Sequence, residues 1–219
     1  MSLSKQTQRR GVRLFAAVAV VSFATIAAHG DMIGIYQFTG SPTGPGQFNE
    51  VDLQPAMATF SPFQRTTITF EPGNNIFNSD SWNTRTTIPG IGYASFSLTP
   101  NAGAEMSLES LSFDFGRDAF GPSTGVVHMS FDGFLTHESF SFLDHQTTTN
   151  HAVWDLTSIG GELSGPVEFR FYGVGATSAR GTLWFDNVSV AAAVAPVPNA
   201  ALLGALGLGL VTWVRRRHP

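Results

Sequence analysis

Between Asp31 and Ala193 the chain repeatedly sets apolar side chains at every second position. Leu111, Phe113 and Phe115 alternate with Ser112 and Asp114, and Val127, Met129 and Phe131 alternate with His128, Ser130 and Asp132. Phe140 and Phe142 flank Ser141, while Val167, Phe169 and Phe171 alternate with Glu168, Arg170 and Tyr172. Shorter sets are Ile68 with Phe70, and Ala94, Phe96 and Leu98. A period of two puts one apolar and one polar face on an extended strand. No run sustains the 3.6-residue period of a capped helix, and the clusters SPTGPG, EPGNN, TPNAG, GPSTG and GVGATSARG punctuate the runs as turns. One-faced strands must bury that face against a second sheet. The pattern therefore predicts an all-β body, a two-sheet antiparallel β-sandwich of jelly-roll-like form. Residues 40–90 are the least regular part and read as long loops with a few short strands.

Both ends break the alternation. Lys5, Arg9, Arg10 and Arg13 precede an apolar run from Leu14 to Ala28 that closes on small residues. This three-part form predicts a helical signal peptide over residues 1–30, with cleavage after Ala28 or Gly30. The other end, VPNAALLGALGLGLVTWVRRRHP, carries fifteen residues without a charge, Ala200 to Val214, and then Arg215, Arg216 and Arg217. Fifteen helical residues reach about 22 Å against a hydrocarbon core of about 30 Å. The segment predicts a short C-terminal transmembrane helix, a weak anchor whose arginines stay on the cytoplasmic side. The organisation that follows is a signal peptide over 1–30, a sandwich domain over 31–190, a linker and motif over 191–199, and a tail over 200–219.

Domain, proline-containing motif, short apolar helix and terminal arginine cluster together resemble the PEP-CTERM sorting signal. The motif reads Pro196-Val197-Pro198-Asn199 where the family pattern is Pro-Glu-Pro. The resemblance covers about the last eighth of the chain. It implies export through signal peptidase and the general export machinery, and processing of the tail by an exosortase-type membrane protease. Pro196, Val197, Pro198 and Arg215 to Arg217 would form the sorting signal, and the body would lie in the cell envelope or outside the cell.

Charge sharpens this picture once it is divided along the chain. The body holds five arginines, no lysine and all sixteen carboxylates of the 219-residue chain. Such an acidic body repels phosphate backbones and excludes nucleic acid as a partner. The chain has no cysteine, which excludes disulfides and thiolate-bound zinc. Nineteen phenylalanines against three tyrosines supply an aromatic core.

Catalytic chemistry finds no pattern to rest on. Gly121-Pro122-Ser123-Thr124-Gly125 fits the spacing of a serine nucleophile elbow, but a strand, not a helix, follows it. Asp114, Asp118, Asp132 and Glu138 are candidates for a glycosidase pair, with nothing to place two of them in one cleft. Asp144, His145 and His151 match no metal-ligand spacing, and the one cofactor that sandwich loops would favour, calcium, has only the fragment Phe131-Asp132-Gly133. The closing run GTLWFDNVSVAA places Asp186-Asn187 inside a strand, where a bulge or turn is expected. Residues Phe169 to Val190 resemble the last strands of carbohydrate-binding-module-like and galactose-binding-like sandwiches. Sugar contact would need exposed rings, and Trp82 in SDSWNTR, Tyr93 and Trp154 are the candidates, with Trp184 a further large ring. The sequence thus points to an exported, non-catalytic envelope or matrix protein that binds extracellular polysaccharide. The alternative is a secreted glycan-active enzyme on the same fold.

Overall fold

The computed structural model describes residues 30–39, 48–88, 92–143, 149–159 and 163–196. In chain order the strands are β1 (Gly30–Tyr36), β2 (Phe48–Asn49), β3 (Ala58–Phe60), β4 (Phe63–Thr66), β5 (Thr69–Phe70) and β6 (Phe77–Asp80). They continue with β7 (Tyr93–Pro100), β8 (Ala104–Arg117), β9 (Thr124–Ser130), β10 (Glu138–Leu143), β11 (Asn150–Asp155), β12 (Val167–Val174) and β13 (Leu183–Pro196). There is no helix among the described residues. All of the expected signal peptide but Gly30, and the expected C-terminal helix, lie outside them, as do Val197, Pro198 and Arg215 to Arg217.

The strands form two antiparallel sheets. One runs β11-β8-β13-β6-β5, with β1 also on β13; the other runs β10-β9-β12-β7-β4-β2, with β3 also on β7. Strand β13 is long enough to serve two partners on one side. Leu183 to Phe185 pair with β6, and Val188 to Val194 pair with β1, while β8 accompanies nearly its whole length. This corrects the expected linker. Ala191 to Pro196 continue the strand, paired with Ser110 to Ala104 of β8, so the domain extends beyond residue 190 to Pro196. The apolar alanines and valines of this stretch suit a strand covered on both edges as well as they suit a linker.

The inward faces follow the alternation. Phe96, Leu98, Phe113, Val127, Met129, Val167, Phe169, Phe171, Phe185, Val188 and Val190 are all 0–1% exposed. Phenylalanines bridge the two sheets: Phe171 meets Phe185 at 5.1 Å, Phe113 meets Phe171 at 5.3 Å, and Phe63 meets Phe77 edge-on at 4.7 Å between ring centres. Edge-to-face packing of this kind favours aromatic pairs beyond their buried area, by about 0.5–1.5 kcal/mol each. That is where the phenylalanine-rich composition is used.

Two inward positions depart from the pattern. Phe131, expected beside Val127 and Met129, is 39% exposed because β9 ends at Ser130 and the chain turns there. Arg65 occupies an inward position on β4, its guanidinium 3.6 Å from the centre of the Phe77 ring. Its Nε donates to Ser79 Oγ and its Nη2 to the Asn78 carbonyl, both at 2.9 Å. Burial pushes its pKa down to about 10, which leaves it charged at neutral pH.

Candidate ligand-binding face

The outward residues of β7, β12, β9 and their neighbours fall into cross-strand rows. In register, Phe48, Gln64, Ser95, Arg170, His128 and Ser139 form one row across six strands. The next row holds Thr66, Tyr93, Tyr172, Val126 and Ser141. A third brings Ser97, Glu168 and Ser130 together. At about 4.8 Å per strand, the first row spans about 24 Å.

Arg170 is the centre of this face. Its guanidinium lies 3.7 Å from the Phe134 ring centre and 4.7 Å from that of Tyr93, and its Nε donates to Glu168 Oε1 at 2.8 Å. Tyr93 and Tyr172 meet at 5.4 Å, and Tyr172 lies 5.0 Å from His128. Burial pushes the Tyr172 hydroxyl up from its ordinary value. The β9–β10 hairpin folds back over one end of the face. His137 stacks on His128 at 4.1 Å, and the two outward polar residues beneath, His128 and Ser130, are only 8% and 2% exposed.

The hairpin is held by its own polar residues. Asp132 accepts hydrogen bonds from Ser130 Oγ, from Thr136 Oγ1 and from the Thr136 backbone N–H, while Ser130 Oγ accepts from Phe134 N–H. The hydrogen bonds from Thr136 hold the Asp132 carboxyl below the usual carboxylate range. Gly133 and Phe134 both take left-handed backbone angles, φ 71° and 68°, which swing Phe134 over Arg170. A left-handed phenylalanine is uncommon and is retained here by the ring's seat on the guanidinium.

Of the three rings expected to meet sugar, the structure brings only Tyr93 to this face. Trp82 is 2% exposed, with Nε1 donating to the Ser79 carbonyl at 2.7 Å and its ring edge-on to Phe185. Trp154 is 7% exposed and lies flat against Phe140, 5.6 Å between centres. Both are core rings, which corrects their assignment as ligand contacts. Pro196 ends β13 opposite Ala104. Arg170, Tyr172, Phe134 and His128 were not singled out by sequence, although the alternation marks Arg170, Tyr172 and His128 as outward.

Three of the four candidate carboxylates are engaged locally. Asp118 Oδ1 accepts from the Phe120 and Thr182 backbone N–H groups, Asp132 closes its hairpin, and Asp114 bonds His151 Nδ1. Ser123 precedes β9 in a loop, its N–H on the Val174 carbonyl. Among the described residues, no three histidine, aspartate or glutamate side chains converge as a metal site.

No family model and no curated protein matches this chain. Solved structures similar to it include a family 29 carbohydrate-binding module from Piromyces equi, at 10% identity over 74% of this chain and 91% of that one, TM-score 0.42. An arabinose-bound α-L-arabinofuranosidase is similar at 12% identity over 73% of this chain and 26% of that one, TM-score 0.41. The K2 adhesin domain of Lys-gingipain is similar at 15% identity over 74% and 97%, TM-score 0.39. Likenesses of this size leave the chemistry of the face to its own residues.

Proposed function

We propose that this is an exported, non-catalytic protein of the cell envelope or extracellular matrix that binds polysaccharide across the outer face of its seven-stranded sheet. The observation that carries the reading is the cross-strand surface centred on Arg170. There the partly exposed rings of Tyr93 and Phe134 and the Arg170 guanidinium stand beside the buried Tyr172 and His128, on strands that cannot shift independently. Sugar recognition needs this combination: flat rings for the C–H faces and fixed polar groups for the hydroxyls. The non-catalytic part of the reading is supported by Asp118 and Asp132, whose oxygens hold loops in shape. The export part is supported by the two terminal segments, whose arginine clusters flank apolar runs. In this reading signal peptidase removes the first segment, and an exosortase-type protease acts on the PEP-CTERM-like tail.

The test is affinity electrophoresis of the purified protein through gels holding hydroxyethyl cellulose, mixed-linkage β-glucan, xylan or alginate. Retardation is expected in at least one uncharged polymer, and Arg170→Ala and Tyr93→Ala are each expected to weaken it about tenfold or more. Equal retardation of wild type and both variants would remove this face from consideration.

A further inference from the structure

The opposite face of the sandwich carries a second polar–aromatic surface that the first does not use. On β13, Leu183 and Phe185 point inward, so Trp184 and Asp186 point out. Trp184 is partly exposed and stands in register with Gly116 of β8 and Asn78 of β6. Glycine at 116 leaves the indole without a cross-strand side chain on that side. Two residues on, the ladder between β13 and β8 slips between Asp186 and Ser189, and Asn187 takes a left-handed φ of 46°. Asparagine tolerates that angle better than most side chains.

The bulge has a chemical result. Asn187 Nδ2 donates to Asp114 Oδ2 at 2.8 Å, and His151 Nδ1 lies 2.7 Å from Asp114 Oδ1. Both oxygens of one carboxylate are thereby engaged, and the network fixes the amide of Asn187 and the ring of His151. Asp186, opposite Asp114 in the register, has its carboxyl pushed up by burial and by the charges of Asp114 and Asp52. Beside the network a cleft of about 340 Å³, lined by Phe140, Phe142, His151 and Val153, opens between the β10 and β11 edges.

We propose that this surface, from Trp184 through Asn187 and Asp114 to His151, is a second glycan-binding site, so that one molecule bridges two polysaccharide chains. The proposal rests on the polysaccharide-binding reading of the first face. A ring, an amide carbonyl and an imidazole nitrogen are suited to a pyranose, while Asp52, Asp114 and Asp186 turn away acidic polymers. The occupant is an uncharged glycan. Packed sheets lie about 10 Å apart with their outer faces opposed, so two occupied faces hold two chains on opposite sides of one domain.

Calorimetry with cellohexaose and laminarihexaose on wild type, Trp184→Ala, Tyr93→Ala and the double variant tests this. For whichever oligosaccharide binds, wild type is expected to take two per molecule, each single variant one and the double variant none. With hydroxyethyl cellulose, wild type is expected to raise viscosity, and either single variant to bind without doing so. Asn187→Gly, which keeps the left-handed backbone and removes the amide, is expected to weaken the second site alone at unchanged thermal stability. One binding event in wild type, lost in Tyr93→Ala and untouched in Trp184→Ala, would overturn the second site and leave the first standing. No binding in any arm would overturn both.

Discussion

The imidazole of His128 lies flat against that of His137, 4.1 Å between ring centres and 19° between their planes. Burial, with the charges of His137 and Arg170 adding to it, pushes the His128 pKa down to about 4. The unfolded chain would titrate this group near 6.5. As pH falls from about 6.5 to about 4, the unfolded state therefore takes up the proton first, and stability falls over that window. Above it the contribution is complete, and below about pH 4 it is gone. Discounted for solvent screening, the change is of the order of 1–2 kcal/mol. Urea titrations between pH 7 and pH 4 should show this slope, and His128→Asn should flatten it. An unaltered slope in the variant would assign the effect to another group.

Arg65 is expected to contribute stability through its bonds more than through its charge. Arg65→Met keeps much of the volume over Phe77 but withdraws the donors from Ser79 Oγ and the Asn78 carbonyl, both in a buried setting. Stranding such acceptors costs about 1–3 kcal/mol, and Arg65→Ala adds a cavity for a total of about 3–5 kcal/mol. Chemical denaturation would check the order, with methionine between wild type and alanine.

How much of this was legible in the sequence depends on the strand. Alternation names the inward faces of β7, β8 and β12 correctly, because burial on one side leaves a period of two. It also marks His128 and Arg170 as outward. It does not say that β7, β12 and β9 are neighbours, and that adjacency makes a site of Tyr93, Arg170 and His128. Nor does it show that the 131–137 hairpin would fold back onto the face. Trp82 misleads for a local reason. Its polar flanks suggest display, yet the indole turns inward and Nε1 finds the carbonyl of Ser79, three residues earlier. Trp184, which the sequence offers only as a further large ring, sits on the outer face of β13 between inward Leu183 and Phe185.

Gly125 and Phe142 stand opposite one another across β9 and β10, and a Cβ at Gly125 would come within 1.8 Å of the Phe142 ring. That ring is 5% exposed and held by Phe113 and Phe115, so it has little room to yield. Gly125→Ala is expected to cost about 2–3 kcal/mol by overpacking. In a Phe142→Ala background the same change should cost less than about 1 kcal/mol, a coupling that a double-mutant cycle reads directly. Additive costs would mean that the strain lies in the backbone.

Strand β1 sets a limit on how far the amino terminus can be trimmed. It pairs from Gly30 opposite Val194 to Tyr36 opposite Val188, and so covers the outer edge of β13 along the half that leads to the tail. Tyr36 is 0% exposed, with Phe63 and Phe96 at 5.5 and 5.1 Å from its ring centre. Losing this strand would uncover a long apolar edge, the kind that pairs with other chains, and would open the core at Tyr36. On the proposed export route, cleavage after Ala28 spares every β1 pair, whereas cleavage after Gly30 removes the first. The mature protein recovered from an exporting host should therefore begin His29-Gly30-Asp31 by amino-terminal sequencing. Ala28→Phe should block its release, since the peptidase reads a small residue at that position, and Gly30→Phe should not. A mature terminus beyond Tyr36 would show that the β1–β13 ladder is dispensable.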